Sequence, residues 1–316
     1  MPAQRAPLPD GRWHFQHGPI DIVISADGDA AAVTAAHDAA WNRFESVLDE
    51  LVAELPLLRA PVAGPCPLRG VVARRMWQAC RAVRTDFITP MAAVAGAVAD
   101  ELMASYRRAG VARAWVNNGG DIALHLAPGH ALRVGLFVDL ARFDARQARD
   151  GVEVDGHFEV AAALPVRGVA TSGWRGRSFS LGIADSVTVL ARSAAEADAA
   201  ATIVANAVNV DDRCIVRRPA CELKDDSDLG TIEVTVDVPA LEPLRVEQAL
   251  AAGTRCAHEL QARGLIHAAV LVCQGQAIRV DNAVGAPVPA QVAAIADADA
   301  VAALPGAAWP GRLAPA

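Results

Sequence analysis

Two hydrophobic periods alternate along this chain. Apolar residues spaced by two mark short strands at residues 13–16 and 20–24, around the turn His17-Gly18-Pro19. A period near 3.6 then runs through Trp41, Phe44, Val47, Leu48 and Leu51. It predicts a helix opened by Asp27-Gly28-Asp29 and closed by Pro56 and the prolines of 61–67. A second helix carries Val71, Val72, Met76 and Val83, with arginines on its other face. A third follows the turn 85–90 and runs from about residue 91 to 108, ending before Gly110. Its first half is built of small residues, which lets other backbone or a ligand approach closely. Asp100 and Glu101 then give it a charged face.

The pattern returns to period two at 114–117, 121–125 and 132–138, with Asn118-Gly119-Gly120 as a hairpin turn. Residues 139–165 read as irregular and lead to an apolar strand ending in the hydroxyl-rich turn Thr171-Ser172-Gly173. A strand at 186–190 precedes a helix from 194 to about 207, with Ser193 as N-cap and Glu196 at the capping-box position. A polar insertion, 210–229, is followed by a strand (231–238), a helix (about 246–263) and a hairpin (268–280) turning at Gln274-Gly275-Gln276. Hairpins mixed with helices predict an α+β fold. Residues 1–283 are expected to form one domain, with N- and C-terminal halves around one cleft. The Ala/Pro-rich stretch 284–316 is expected to be a tail with a peripheral helix.

Composition narrows the function. The 53% apolar and 21% charged residues exclude a disordered chain. The net charge of −7 argues against nucleic acid and against an anionic membrane surface. Lys224 is the sole lysine, which argues against Schiff-base chemistry. Six scattered cysteines without a C-x-x-C pair argue against a zinc ribbon and fit a reducing compartment. With no apolar run long enough to span a membrane and no signal-like start, the expected location is cytoplasmic.

Asp198 and Thr202 lie one helical turn apart, so they share a face and offer two hard oxygen ligands suited to Mg²⁺. Alanines at 197, 199, 200 and 201 are expected to leave open space around the pair, as a bound phosphate would require. The hydroxyls and backbone N–H groups of Thr171, Ser172 and Gly173 can hold phosphate oxygens. Gly119 and Gly120 permit backbone to lie against a flat ring or a pyrophosphate, with Asp121 as an acceptor beside them.

Taken together, V-N-N-G-G-D-I, G-V-A-T-S-G, D-S-V-T-V-L-A, A-D-A-A-A-T and P-M-A-A-V-A-G-A-V-A-D-E resemble the UPF0280 family, a branch of the ApbE-like superfamily. The resemblance is close over residues 85–210. It implies mixed sheets with packed helices and a cleft for FAD, with Mg²⁺ at the pyrophosphate. It also implies FMN transfer to a threonine of an acceptor protein. By the same resemblance the metal ligands are Asp198 and Thr202, helped by a carbonyl from Ala93–Ala95. The flavin side is Asn118, Gly119, Gly120 and Asp121, with Thr171, Ser172 and Gly173 opposite. The lysine of the flavin transferases is replaced by alanine in 93–100, and their histidine-bearing motif by residues 174–185. That leaves Asp185 as the nearest carboxylate in sequence, and Arg175 and Arg177 as the guanidinium groups suited to an acidic substrate.

His125, His157, His258 and His267 lack ligand spacing, and only His125, four residues after the Gly-Gly-Asp turn, is kept as a candidate. The acidic run 225–228 reads as a solvated loop. Three functions are compatible with this reading. The first is FAD-linked transfer or hydrolysis. The second is an enzyme on the same scaffold acting on a carboxylated heterocycle or a pterin-type one-carbon intermediate. The third is a non-catalytic cofactor-binding or assembly protein. A homo-oligomer is compatible with each.

Overall fold

The computed structural model describes residues 2–84, 87–136 and 156–281. Strands β1 (Gln4–Pro7), β2 (Trp13–His17) and β3 (Ile20–Gly28) open the chain. Helix α1 (Ala30–Ala53) is started by the Asp29 carboxylate, which accepts from the Ala32 N–H at 3.0 Å. Next come α2 (Leu55–Leu58) and α3 (Val71–Val83). Helix α4 (Val94–Met103) is flanked by 3₁₀ turns at Pro90–Ala93 and Ala104–Tyr106. Strands β4 (Val111–Asn118), β5 (Asp121–Leu126), β6 (Ala131–Leu136), β7 (Gly156–Ala161), β8 (Gly168–Ser172) and β9 (Ser186–Ala191) precede α5 (Ala194–Ala207). The chain continues through β10 (Val216–Pro219), α6 (Ala220–Leu223), β11 (Glu233–Asp237), α7 (Pro243–Ala262), β12 (Ala268–Cys273) and β13 (Gln276–Val280).

Nine strands form one sheet in the order β1-β2-β3-β4-β5-β8-β9-β12-β13, antiparallel at every step. The period-two pattern sorts its side chains onto two faces. Ile22, Ile24, Val116, Ala123, Ala170, Val187 and Val189 face the helices and join Phe44, Met76, Leu102, Val204 and Leu250 in the main core. Trp115, Ile122, Leu124, Val169 and Leu190 face the other way and pack with Leu132, Val134 and Val160 of the β6–β7 ribbon.

Several expectations need correction. Strand β7 lies within the stretch read as irregular, because its pairing partner β6 is distant in sequence. The third helix is α-helical only over Val94–Met103, with tighter turns at both ends. The polar insertion carries β10 and α6. The alanines of α5 do not hold space open. Ala197, Ala199, Ala200 and Ala201 have no exposure, because small side chains let the sheet and neighbouring helices close onto the backbone. The expected tail helix lies outside the described residues.

The charged face of α4 is also turned inward. The buried Asp100 carboxylate accepts from the N–H groups of Ala194 (3.1 Å) and Ala195 (2.9 Å), the first residues of α5. Burial pushes its carboxyl above the ordinary range, and these two donors pull it back. Glu101 pairs with Arg43 (2.7 Å) and Arg75 (2.9 Å). Gly96 completes the contact: a Cβ there would overlap the Ala194 carbonyl, so α4 and α5 touch backbone to backbone.

His37 is buried under β2 and meets the Tyr106 hydroxyl at 2.8 Å. Burial lowers its pKa below the ordinary 6.5, against the opposing charge of Asp38. The unfolded chain therefore binds the proton more readily. Stability is full above about pH 6.5 and is lost as the pH falls toward the lower folded value. Urea midpoints at pH 7.5, 6.5 and 5.5 are expected to decline, and His37→Gln to flatten the decline. An equal slope in wild type and variant would contradict this assignment.

Candidate functional site

The predicted residues gather at one end of four adjacent strands: the close of β4, the start of β5, the close of β8 and the start of β9. Asn118 and Asp121 pair across a two-residue turn of Gly119 (φ +70°) and Gly120 (φ +115°), a backbone that favours glycine at both positions. Alternation places Asn118, Asp121 and Ser172 on the helix face of the sheet, with Val116, Ala123 and Ala170. Asn118 Nδ2 donates to the Ala95 carbonyl at 3.1 Å. The Gly96 N–H donates to Asp198 Oδ2 at 2.9 Å. The start of α4 thus bridges the hairpin and α5. Ser193 caps α5 by accepting from the Glu196 N–H at 3.3 Å, and Thr202 follows Asp198 by one turn. Asp198 and Thr202 are both half-buried.

The electrostatics of this corner are those of a crowded acceptor set. The Asp121 carboxyl is pushed up by burial, against a Thr171 backbone hydrogen bond and the Arg177 charge that lower it. Its Oδ1 is buried without a hydrogen-bond partner. Asp198 is pushed well above the usual carboxylate range, first by burial and then by the Asp121 charge. Two carboxylates repelling each other behind an alanine shell are stable as anions only with a cation between them or a proton on one. Arg177 is exposed, and its guanidinium fills the space a Gly119 side chain would take.

The other predicted residues sit at the same end with different ties. Thr171 belongs to β8 rather than to a turn. Its hydroxyl meets Thr188 Oγ1 at 2.9 Å on the face away from α5, and only its backbone turns toward Asp121. Gly173 leads into Trp174, whose N–H donates to the Ala184 carbonyl at 3.0 Å. Asp185 is buried and committed: Oδ1 accepts from Trp174 Nε1 at 3.3 Å, and Oδ2 from the Gln274 N–H. Arg175 lies 3.9 Å from Asp185 and 4.8 Å above the Trp174 ring. His125 belongs elsewhere. It bonds the Val111 carbonyl at 3.2 Å, about 14 Å along β5 from Asp121 at 3.4 Å per residue.

The acidic run is solvated in its first half, where Asp225 and Asp226 are exposed, and tied down in its second, where Asp228 is half-buried. Asp226 pairs with Arg59 at 2.8 Å, and Asp228 accepts from the Thr89 hydroxyl at the start of the small-residue segment. Burial and the charges of Asp198 and Asp228 push the Cys80 thiol up, which places the insertion beside the same corner. Nothing in the local sequence marks Asp228; its role depends on a contact between distant segments. Two open cavities, of about 780 Å³ at Trp77 and Arg81 and about 660 Å³ at Arg107 and Arg167, share no lining residue with this corner.

Comparison with known proteins follows the same lines. The family model described as AbpE bacteria matches residues 5–280. A UPF0280 protein of Methanopyrus kandleri is 36% identical over 222 residues, covering 68% of this chain and 82% of that one. A UPF0280 protein of Methanospirillum hungatei is 29% identical, covering 66% and 79%. Among solved structures, the apo flavinyl transferase ApbE of Pseudomonas stutzeri aligns with 88% of this chain and 93% of its own at 13% identity and a TM-score of 0.43. The ApbE protein of Thermotoga maritima covers 88% and 96% at 13% identity and a TM-score of 0.39. At such scores the likeness is loose. The functional reading rests on the family match and on the geometry of the corner. Among the described residues, no helix is long and apolar enough to cross a membrane.

Proposed function

This chain belongs to the AbpE bacteria family, and on that premise we propose that it handles FAD, or a related phosphate-bearing cofactor, where α4, α5 and the β4–β5 turn meet. The carrying observation is the buried, unpartnered Oδ1 of Asp121 beside a second raised carboxylate, Asp198. Buried acceptors without donors suit a hard cation, and Mg²⁺ prefers carboxylate and hydroxyl oxygens. Asp121, Asp198 and Thr202 are the residues that would hold it. When bound, Mg²⁺ would offset the charge of a pyrophosphate.

The rest of the corner binds and orients. The Gly119-Gly120 backbone and Asn118 form one wall. Ser172 and the Thr171–Gly173 backbone form the other, and Arg177 meets an anionic group at the rim. Asp185 accepts from Trp174 Nε1 and from the Gln274 N–H, so it positions the Trp174–Arg175 loop. The reactions this suits are Mg²⁺-dependent FMN transfer to an acceptor protein, or FAD hydrolysis. A second reading, a small carboxylated heterocycle, is favoured by one observation: the Arg175 guanidinium stacked on Trp174, a flat cationic platform.

Quenching of FAD fluorescence tests the first reading. Binding at about 10 µM or tighter is expected with Mg²⁺, and at least about tenfold weaker binding with EDTA. No quenching at about 100 µM protein in either condition would remove it.

A further inference from the structure

The four strands that carry the candidate corner at one end carry a cleft of opposite sign at the other. An open cavity of about 660 Å³ lies where β4 begins, β5 ends, β8 begins and β9 closes. Arg107, Arg108, Arg167 and Arg192 line it, with an apolar wall at Leu126 and Pro128. In a chain of net charge −7, four guanidinium groups around one cavity, with Glu196 against only one of them, reverse the local sign. At 3.4 Å per residue, Leu126 is roughly 17 Å along β5 from Asp121, so the two places are separate.

The cleft is built rather than incidental. Arg167 is half-buried and fixed by the carbonyls of Ala162, Leu164 and Val166, at 2.6–2.8 Å. Burial and the neighbouring Arg107 charge lower its pKa, so two like charges are held close. The Arg107 and Arg108 guanidinium groups, both exposed, make no hydrogen bond among the described residues. Of the nearby carboxylates, Asp100 caps α5 and Glu196 offsets Arg192 at 3.5 Å, so the excess positive charge in the cleft comes from Arg107, Arg108 and Arg167. We propose that this cleft binds a small phosphate-bearing anion, independently of the FAD corner. Guanidinium forks match phosphate oxygens, the apolar wall takes an organic body, and the volume is that of a small-molecule site.

Inorganic pyrophosphate is the probe, titrated calorimetrically at about 0.15 M salt in EDTA, so that cation-assisted binding at the other corner is silent. Wild type and Asp198→Asn are expected to bind it alike. Arg107→Ala and Arg108→Ala are each expected to weaken binding roughly tenfold, the loss of one charge-assisted contact. Three results would overturn the proposal: no heat, binding indifferent to both arginine variants, or binding lost in Asp198→Asn. Sedimentation with phosphatidylglycerol vesicles and no soluble pyrophosphate binding would overturn it as well. Failure of FAD to bind would leave these titrations unchanged, so the two proposals fail separately.

Discussion

Asp100→Ala is expected to destabilise the protein by about 3 kcal/mol, a large effect for one polar side chain. The Asp100 carboxylate, buried in the core, accepts from the first two N–H groups of α5. Leaving a buried donor unpaired costs roughly 1–3 kcal/mol, and a lost helix cap about 1 kcal/mol. The thermal midpoint should fall by roughly 6–10 °C, followed by circular dichroism. Asp100→Asn keeps one acceptor oxygen and should recover part of the loss. An Asp100→Ala midpoint within a degree of wild type would show that α5 does not depend on this cap.

Asp198→Asn and Asp121→Asn are expected to have the largest effect on ligand handling, with opposite signs in two assays. Each removes an anionic oxygen from the proposed cation site, so Mg²⁺-dependent FAD binding should weaken by about a hundredfold. In EDTA the same changes relieve the repulsion between two half-buried carboxylates. The midpoint should then rise, by an amount equivalent to at least about 1 kcal/mol for Asp121→Asn. Weaker binding with a lower metal-free midpoint would mean that the residue serves the fold. Unchanged binding would remove it from the site.

How much of this was legible in the sequence depended on the range of the signal. The hairpin at Asn118–Asp121 and helix α5 with its Ser193 cap are local, and both formed as expected because their signatures lie within four residues. The resemblance in motif order pointed to the family that the comparisons then showed. What stayed hidden was long-range. Which face Thr171 and Ser172 occupy is set by the neighbours of β8, and alternation alone leaves that open. Strand β7 is a strand only through β6. The alanines of α5 are compatible with a vacant pocket or with dense packing, and only the approach of α4 decides for packing. Asp100 read as part of a charged helix face and Asp228 as part of a solvated loop, yet one caps a helix from another segment and the other joins Thr89 from a distant loop.

Crystals of the protein soaked in Mn²⁺, with data collected at the manganese absorption edge, address the central claim most directly. The expected result is an anomalous peak between the Asp121 and Asp198 carboxylates, within ligand distance of Thr202 Oγ1. A well-occupied crystal with no peak at that corner, or with its peak elsewhere, would contradict the account.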